Sequence, residues 1–271
     1  MNKSLKYLCF LFALIMSISA FAISSCTLFE NYVTGPKELK YVLNEDGISY
    51  SCNGIGKVTE TDITIASLYK GLPVTSIGNS AFSDCTSITS ITIPDSVTSI
   101  GSEAFSNCTS ITSVSIGNSV TSIGRGAFHN CNSLESITIP DSVTSIDGWA
   151  FGYCNSLKSI TIPDNVTSIG SGAFYYCRSL ESLIIPNGVT SVDTEVFMFC
   201  AELKSITLPD SITSIDRYAL FYCKSLESIY YEGTIEQWYS IKKDNWHGET
   251  GEYIIFCTDG EITKRGKVTK Y

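Results

Sequence analysis

Ala127-Phe128-His129-Asn130-Cys131 is one copy of a motif, Ala-Phe-x-x-Cys, that returns along most of the chain. Its cysteine recurs every 23 residues without an insertion. The cysteines in register are Cys85, Cys108, Cys131, Cys154, Cys177, Cys200 and Cys223. Self-similarity at this fixed period indicates a solenoid, in which each repeat is one turn that buries its apolar side against its neighbours.

The apolar positions around each cysteine predict the path of one turn. After Cys131, Ile137 and Ile139 alternate with polar residues and predict one short parallel strand whose apolar side faces inward. Pro140 and Asp141 predict the turn that follows, because proline presets its dihedral and aspartate bonds the backbone. The next Val-Thr-Ser-Ile segment predicts a second extended stretch, and Ala-Phe-x-x-Cys predicts a single helical turn. The chain should therefore be a mainly β solenoid with single-turn helices.

The flanks of the array depart from the repeat and predict caps that cover the ends of the stacked core. We predict an N-terminal β cap over residues 39–73, the repeat array over residues 74–228 and a C-terminal cap over residues 229–271. Asn44-Glu45-Asp46-Gly47 indicates a hairpin in the first cap. Asp259-Gly260 indicates a hairpin turn in the second, which should hold two or three strands.

The cysteines in register predict a ladder of buried thiols rather than disulfides. Each lies three residues after a phenylalanine or its equivalent and three before a leucine or isoleucine, which is a core setting. Stacked side chains point in parallel and miss the dihedral angle that a disulfide requires. A zinc site is not predicted either, because the chain contains no Cys-x-x-Cys pair.

The first residues predict export. Lys3 and Lys6 precede an apolar run over residues 7–23, so residues 1–25 are predicted to be a signal peptide and residues 26–38 a tether. Two cleavage routes are open. Ile23-Ser24-Ser25-Cys26 resembles a bacterial lipoprotein box.

The two routes predict different attachments to the cell. In the lipoprotein route the thiol of Cys26 is acylated and anchors the chain at the cell surface or outer envelope, so that its only membrane contact is the lipid. In the other route Ala20-Phe21-Ala22 is an ordinary cleavage site and the chain is secreted after Ala22.

The repeat resembles the BspA-type leucine-rich repeat of bacteria, whose units read approximately L-x-x-I-x-L-P-x-x-V-x-x-I-G-x-x-A-F-x-x-C. The resemblance covers about Val74 to Tyr231, with small departures at Gly117, Val196 and Leu220. It implies a right-handed leucine-rich repeat solenoid. It also implies an exported or surface-displayed protein, since some members act as adhesins, and it implies no catalytic chemistry.

The two variable positions of the motif change character along the array. The residue before the cysteine is polar in the first three repeats and aromatic in the last four. The predicted aromatic stripe consists of Tyr153, Tyr175, Tyr176, Phe199, Phe221 and Tyr222. If these rings are exposed they form a ligand-binding surface, whereas if they are buried they only shield the core.

A second candidate surface is the outward face of the predicted strands. Its candidate residues are Thr138, Thr161, Ile184, Thr207 and Tyr230. The face is polar at first and becomes apolar at Ile184 and Tyr230. The alternative interpretation is that small hydroxyl residues simply suit an exposed sheet.

The sequence offers little for catalysis, metal binding or nucleic-acid binding. The two histidines, His129 and His247, have no spaced serine or cysteine partner, so no catalytic residue is predicted. The aspartates after the prolines are explained by turns, and neither a metal nor a cofactor is predicted. A net charge of -9 without a basic stripe argues against nucleic acid.

These observations predict a protein that binds an extracellular protein or glycan. One alternative is a structural envelope protein whose repeats act as a spacer or self-associate. Another is an enzyme with a site in the C-terminal cap, which would have to bring Asp244, His247 and Asp259 together. A contiguous apolar surface favours binding, and a uniformly polar one favours the spacer.

Overall fold

The computed structural model describes residues 39–271; the predicted signal peptide, tether and Cys26 lie outside the described residues. Residues 39–271 form a β-solenoid of about nine turns with one short helix, which confirms the predicted fold class. No helix in this part of the chain is long and apolar enough to cross a membrane.

The described part of the chain contains 22 short strands and one helix. In chain order they are β1 (Tyr41–Leu43), β2 (Tyr50–Cys52), β3 (Asp62–Thr64), β4 (Leu68–Tyr69), β5 (Leu72–Ile77), β6 (Ser90–Thr92), β7 (Ser99–Ile100), β8 (Ser113–Ser115), β9 (Ser122–Ile123), β10 (Ser136–Thr138), β11 (Ser145–Ile146), β12 (Ser159–Thr161), β13 (Ser168–Ile169), β14 (Ser182–Ile184), β15 (Ser191–Val192), β16 (Ser205–Leu208), β17 (Ser214–Ile215), β18 (Ser228–Tyr231), α1 (Ile235–Ser240), β19 (Lys242–Lys243), β20 (Ile254–Cys257), β21 (Gly260–Thr263) and β22 (Val268–Lys270).

Two walls of the solenoid are made of parallel strands. The first, here called the strand wall, stacks β3-β6-β8, then β10-β12, then β14-β16-β18-β20, with the antiparallel strands β21 and β22 added at the end. The second wall stacks β2-β5-β7-β9-β11-β13 and then β15-β17-β19. Ile137 pairs with Ile160 on the first wall and Ile146 with Ile169 on the second, so equivalent residues of successive repeats lie on one another.

The core is a set of columns that run along the array. The phenylalanines of the motif, from Phe82 to Phe197, are fully buried and stack on one another with ring centroids 5.2–5.7 Å apart. The inward isoleucines of both walls and the alanine of the motif are also buried, except Ile116 and Ala81 near the start of the array, which are half-buried. Because every repeat contributes the same residues to the same columns, the core continues from one turn to the next.

The Ala-Phe-x-x-Cys segments form a third wall, here called the turn wall, and they differ in conformation from the single helical turn predicted. The N–H of Cys154 donates to the carbonyl of Phe151 within the segment, as in a reverse turn. The N–H groups of Phe151 and Tyr153 instead donate to Ala173 and Tyr175 of the next repeat, at 2.8 and 2.7 Å. A helix cannot form because two residues of every repeat on this wall, those before the alanine and before the cysteine, have φ between 53° and 66°.

The cysteines are thiols, and the six from Cys108 to Cys223 are buried, as predicted. Each of these six points its sulfur at the carbonyl oxygen of the phenylalanine in the preceding repeat, at 3.0–3.3 Å. Burial raises the pKa of Cys154 to about 12, so this thiol stays protonated and serves as a small packing group with a weak donor. Cys85, at the start of the array, is only half-buried.

The caps contain both expected and unexpected elements. β1 and β2 form the predicted hairpin, with Gly47 at φ +70°. The predicted C-terminal hairpin is also present, but Cys257 pairs with Gly260, so its turn residues are Thr258 and Asp259. The helix α1, which the sequence analysis did not predict, begins at a capping box between Thr234 and Gln237.

Candidate functional site

The aromatic stripe lies on the turn wall, in the C-terminal half of the array. All six of its residues are half-buried, so none is enclosed in the core and each presents part of its ring to solvent. The strict repeat produces this arrangement, since residues 23 positions apart occupy equivalent places on adjacent turns. The stripe is therefore partly accessible to solvent, though less exposed than Ile184 and Tyr230 on the strand face, and its function stays a prediction.

The rings of the stripe are in continuous contact. Tyr153 stacks on Tyr176 with ring centroids 5.0 Å apart, Tyr176 meets Phe199 at 4.9 Å, and Phe199 stacks on Tyr222 at 4.8 Å. Tyr175 lies beside this row and contacts Tyr153 at 5.3 Å. One contiguous aromatic surface thus crosses at least four turns.

The stripe occupies an unusual backbone conformation. Tyr153, Tyr176, Phe199 and Tyr222 have φ of 61°, 62°, 66° and 60°. This left-handed region is several-fold enriched in asparagine and aspartate, and a bulky side chain there is a true outlier. Each such residue costs about 1–2 kcal/mol of conformational free energy.

The same position in the first half of the array holds residues that suit this conformation. Asp84, Asn107 and Asn130 have φ of 62°, 60° and 58°. Their side chains form a ladder, because the amide of Asn107 donates to Asp84 and the amide of Asn130 donates to Asn107, each at 2.8 Å. The turn wall therefore needs no aromatic residue here to fold.

The structure adds residues to the site that sequence reasoning missed. Trp149 contacts Tyr175 at 4.8 Å, and Tyr218 contacts Phe221 at 5.1 Å. Both lie before the alanine of the motif, at the other left-handed position. The sequence did hold one signal for this left-handed position. Two repeats carry glycine before the alanine, at Gly126 and Gly172.

Two cations also lie on the stripe. The guanidinium carbon of Arg178 is 4.3 Å from the centroid of the Tyr176 ring, and its Nη2 donates to the Tyr176 hydroxyl at 2.6 Å. The ammonium of Lys224 is 5.1 Å from the Tyr222 ring centroid. Both follow the motif cysteine directly, two repeats apart, so the stripe combines aromatic rings with positive charge.

Burial, followed by the neighbouring Tyr153, raises the pKa of Tyr175 to about 12. The hydroxyl of Tyr175 is therefore protonated throughout the physiological range and can donate a hydrogen bond.

The strand face is exposed where predicted. Thr138 and Thr161 are exposed, Ile184 is 68% exposed and Tyr230 is 46% exposed, while Thr207 between them is half-buried. The Tyr230 ring stacks on that of Phe256 at 5.3 Å, a residue that the sequence analysis did not include. The apolar end of this face is therefore a second, smaller candidate surface.

The three polar residues considered for an enzymatic site are engaged in different contacts. Asp244 is exposed and pairs with Arg217 at 3.7 Å. Asp259 accepts a hydrogen bond from the N–H of Ile235 at the start of α1, at 2.7 Å. His247 packs edge-on against Tyr253, and burial followed by Lys264 lowers its pKa. Each of the three side chains thus contacts a different partner.

A shallow groove of about 470 Å³ lies on the second wall, away from the stripe. Ser122, Ser145, Ser168, Ser191 and Asp193 contribute to its lining. Within residues 39–271 no group of three or more histidine, cysteine or acidic side chains is arranged to hold a metal ion. Compared with this groove, whose lining includes four serines, the aromatic stripe is the more distinctive surface.

Comparison with known proteins places the array among bacterial repeat proteins. The sequence profile of the BspA type leucine-rich repeat region matches residues 59–177 and 121–242, in six copies. A leucine-rich repeat protein of T. pallidum is 32% identical over 64% of this chain and 81% of its own, with a TM-score of 0.62. A leucine-rich repeat protein of Bacteroides ovatus is 26% identical over 88% of this chain and 72% of its own, also with a TM-score of 0.62. No curated protein sequence matches significantly.

Proposed function

Because the chain belongs to the BspA-type leucine-rich repeat family, we propose that it is a non-catalytic surface protein that binds an extracellular protein or glycan through the aromatic stripe. The observation that carries this proposal is the stripe itself, a contiguous set of half-buried rings on an otherwise regular solenoid. Solenoids present extended surfaces of this kind to their partners.

Backbone conformation supports a functional origin of the stripe. Asn107 and Asn130 show that a residue suited to the left-handed position is compatible with the turn wall. Aromatic residues at Tyr153 and Tyr176 carry the strain of that conformation and leave apolar surface in contact with water. Ring stacking offsets part of this cost, since an aromatic pair contributes about 0.5–1.5 kcal/mol. Binding explains why a strained, half-buried aromatic residue occupies this position in four successive repeats.

We expect binding to be lost when stripe tyrosines are replaced by asparagine, the residue that earlier repeats carry at the same position. The double variant Tyr153→Asn/Tyr176→Asn places at these positions the residue found at Asn107 and Asn130, so it should fold normally. Loss of two central aromatic contacts should weaken binding by at least about 30-fold, which is the effect of losing one hot-spot anchor of about 2 kcal/mol, since the two losses are not additive. The measurement is capture of the full chain on panels of extracellular matrix proteins and surface glycans.

The matched control for this experiment removes apolar surface from the strand face instead. Ile184→Thr/Tyr230→Thr introduces the residue that Thr138 and Thr161 provide in the same column. Binding that survives the asparagine variant but is lost in the threonine variant would transfer the proposed site to the strand face. Binding unaffected by either would contradict both surfaces.

The proposed location of the protein is the cell surface, with Cys26 acylated as a lipid anchor. The support is the basic and apolar sequence of residues 1–23 and the lipoprotein-like box that ends at Cys26. We expect the exported chain to begin at Cys26 and to incorporate a labelled fatty acid, and Cys26→Ala to abolish the labelling. A mature chain that begins at Ile23 without label would instead show ordinary secretion.

A further inference from the structure

Both ends of the strand wall are open edges. Within residues 39–271, β3 pairs only with β6, and β22 pairs only with β21. In β3 the carbonyl of Thr61 and the N–H of Ile65 bond to β6. Successive residues of a strand direct their backbone groups to alternate sides, so those of Asp62 and Thr64 point to the open side.

In β22 the residues on the open side are Val268 and Lys270. The carbonyl of Lys267 accepts a hydrogen bond from β21 at 2.9 Å, and the N–H of Tyr271 donates to the carbonyl of the residue before β21 at 3.2 Å. The backbone groups of Val268 and Lys270 lie between these two bonds and therefore point away from β21. Unpaired backbone groups of this kind are a template for a further strand.

The two edges match in direction and in shape. The strand wall is parallel from β3 to β20, then β21 reverses the direction and β22 restores it. At the C-terminal end the strand wall extends three strands (β20, β21 and β22) past the turn that contains β18 and β19, and at the N-terminal end the second wall extends two strands (β2 and β1) past the turn that contains β3 and β5. A second copy shifted along the solenoid would bring these complementary steps together and place its β3 parallel to β22.

One register satisfies the backbone groups of both edges. With Asp62 opposite Thr269, the N–H of Asp62 would donate to the carbonyl of Val268, and its carbonyl would accept from the N–H of Lys270. The same register aligns the outer faces of the two strands. Asp62 faces outward because its neighbour Ile63 is buried, and Thr269 continues the outward column of the strand face.

The charges of the two edges are complementary. Residues 59–64 contain two acids and no cation, whereas residues 264–270 contain four cations and no acid. The register above places Glu60 opposite Lys267. The strand wall already has lateral pairs of this kind, in which lysine and glutamate on adjacent strands lie 2.8 and 3.0 Å apart. Two copies of β22 side by side would instead bring lysines together, which disfavours a symmetric contact.

We propose that copies of this chain associate head to tail, with β22 of one copy paired in parallel with β3 of the next. The contact joins two different surfaces, so it produces an open row of copies with a continuous strand wall rather than a closed dimer. This inference goes beyond the proposed function and does not depend on it, because the aromatic stripe lies on the turn wall and stays accessible in such a row.

The test follows the sedimentation of the full chain over a range of protein concentrations. We expect species larger than a dimer, which dissociate as salt is added. Lys267→Glu should weaken association at least about tenfold, because it places like charges opposite each other. Lys270→Pro should also weaken it, since proline removes an N–H that faces the open side and is tolerated on an edge strand. The matched control, Arg125→Glu, makes the same change of net charge at an exposed site within the array and should leave association unchanged.

A mixture of two defective variants tests the head-to-tail direction. Glu60→Lys and Lys267→Glu should each fail to associate alone and should associate when mixed, because each altered end then meets an opposite charge. Carbodiimide, which joins carboxylates to amines in contact, should link Glu60 of one copy to Lys267 of another.

Three outcomes would overturn the inference: a chain that stays monomeric at its highest soluble concentration, association that stops at a dimer, or association that neither Lys267→Glu nor Lys270→Pro weakens. The Tyr153→Asn/Tyr176→Asn variant should associate normally. Failure of ligand binding by the stripe and failure of association are therefore separate results.

Discussion

Phe151→Ala is expected to lower the free energy of unfolding by about 3–5 kcal/mol. Phe151 is fully buried at the centre of the phenylalanine column, with ring centroids 5.5 Å from Phe128 and 5.6 Å from Phe174. Alanine removes the ring and leaves a cavity that the neighbouring turns cannot fill, because they are held by hydrogen bonds on three walls. Urea denaturation followed by circular dichroism would measure the change.

Two further variants make this expectation specific to the column. Phe151→Leu should cost only about 1–2 kcal/mol, because Leu220 occupies the equivalent place in the last repeat and is 1% exposed there. Tyr153→Asn, two residues away on the turn wall, should change stability by less than about 1 kcal/mol, since lost stacking is compensated by relief of strain. A Phe151→Ala cost no larger than that of Phe151→Leu would mean that the column is not the centre of the packing.

The strict period explains why so much of the fold could be predicted. In a solenoid with one repeat length, a prediction that Ile137 and Ile146 face the core extends to the equivalent residues of the other repeats. Both isoleucines are buried. The parallel register follows as well, because any other alignment would place polar residues in the core. A short, irregular segment such as the N-terminal hairpin was predictable for a different reason, namely the turn preference of Asn44 to Gly47.

The conformation of the turn wall could not be predicted from the same pattern. Ala-Phe-x-x-Cys has the spacing of a helical turn, and the bond from the cysteine N–H to the phenylalanine carbonyl three residues earlier occurs in helical turns and reverse turns alike. The left-handed positions are indicated only where glycine, asparagine or aspartate occupies them, as at Gly126 and Asn107, and residues such as Trp149 hide the signal. Sequence reasoning fails at positions where a residue adopts a backbone conformation that its type disfavours. In this protein the candidate site lies at those positions.

The cap helix and the cations of the site were missed for separate reasons. Thr234 and Gln237 carry a capping-box signal that was legible in the sequence, but α1 is only six residues long, too short for its two buried residues, Ile235 and Trp238, to establish a helical period. Arg178 and Lys224 follow the cysteine in a column that also holds threonine, asparagine and alanine. Only the structure shows that they lie over the rings of Tyr176 and Tyr222.

Deletion of one complete repeat, residues 124–146, is expected to leave a folded but shorter solenoid. The deletion joins Ile123 to Asp147, which occupies the place of Gly124 in the next repeat. The N–H of Phe105, which donates to Ala127 at 2.8 Å, would meet the carbonyl of Ala150, the partner that Phe128 now has at the same distance. Nearest-neighbour stacking predicts a loss of one repeat's share of stability, about 1–3 kcal/mol.

Deletion of only residues 124–134 is expected to abolish folding. It removes the turn wall of one repeat but keeps its two strands, so the strand β10 would have to follow β9 without the Ala-Phe-x-x-Cys segment that returns the chain to the strand wall. The Phe105 and Phe151 rings would then lose the Phe128 ring that stacks between them. The N–H groups of Phe105 and Asn107 would lose the carbonyl groups that accept their hydrogen bonds. Circular dichroism and thermal unfolding distinguish the two deletions, because the longer one should retain a cooperative transition and the shorter one should show none. Since the variant that loses more residues should be the one that folds, equal behaviour of the two would contradict a solenoid whose stability depends on complete layers.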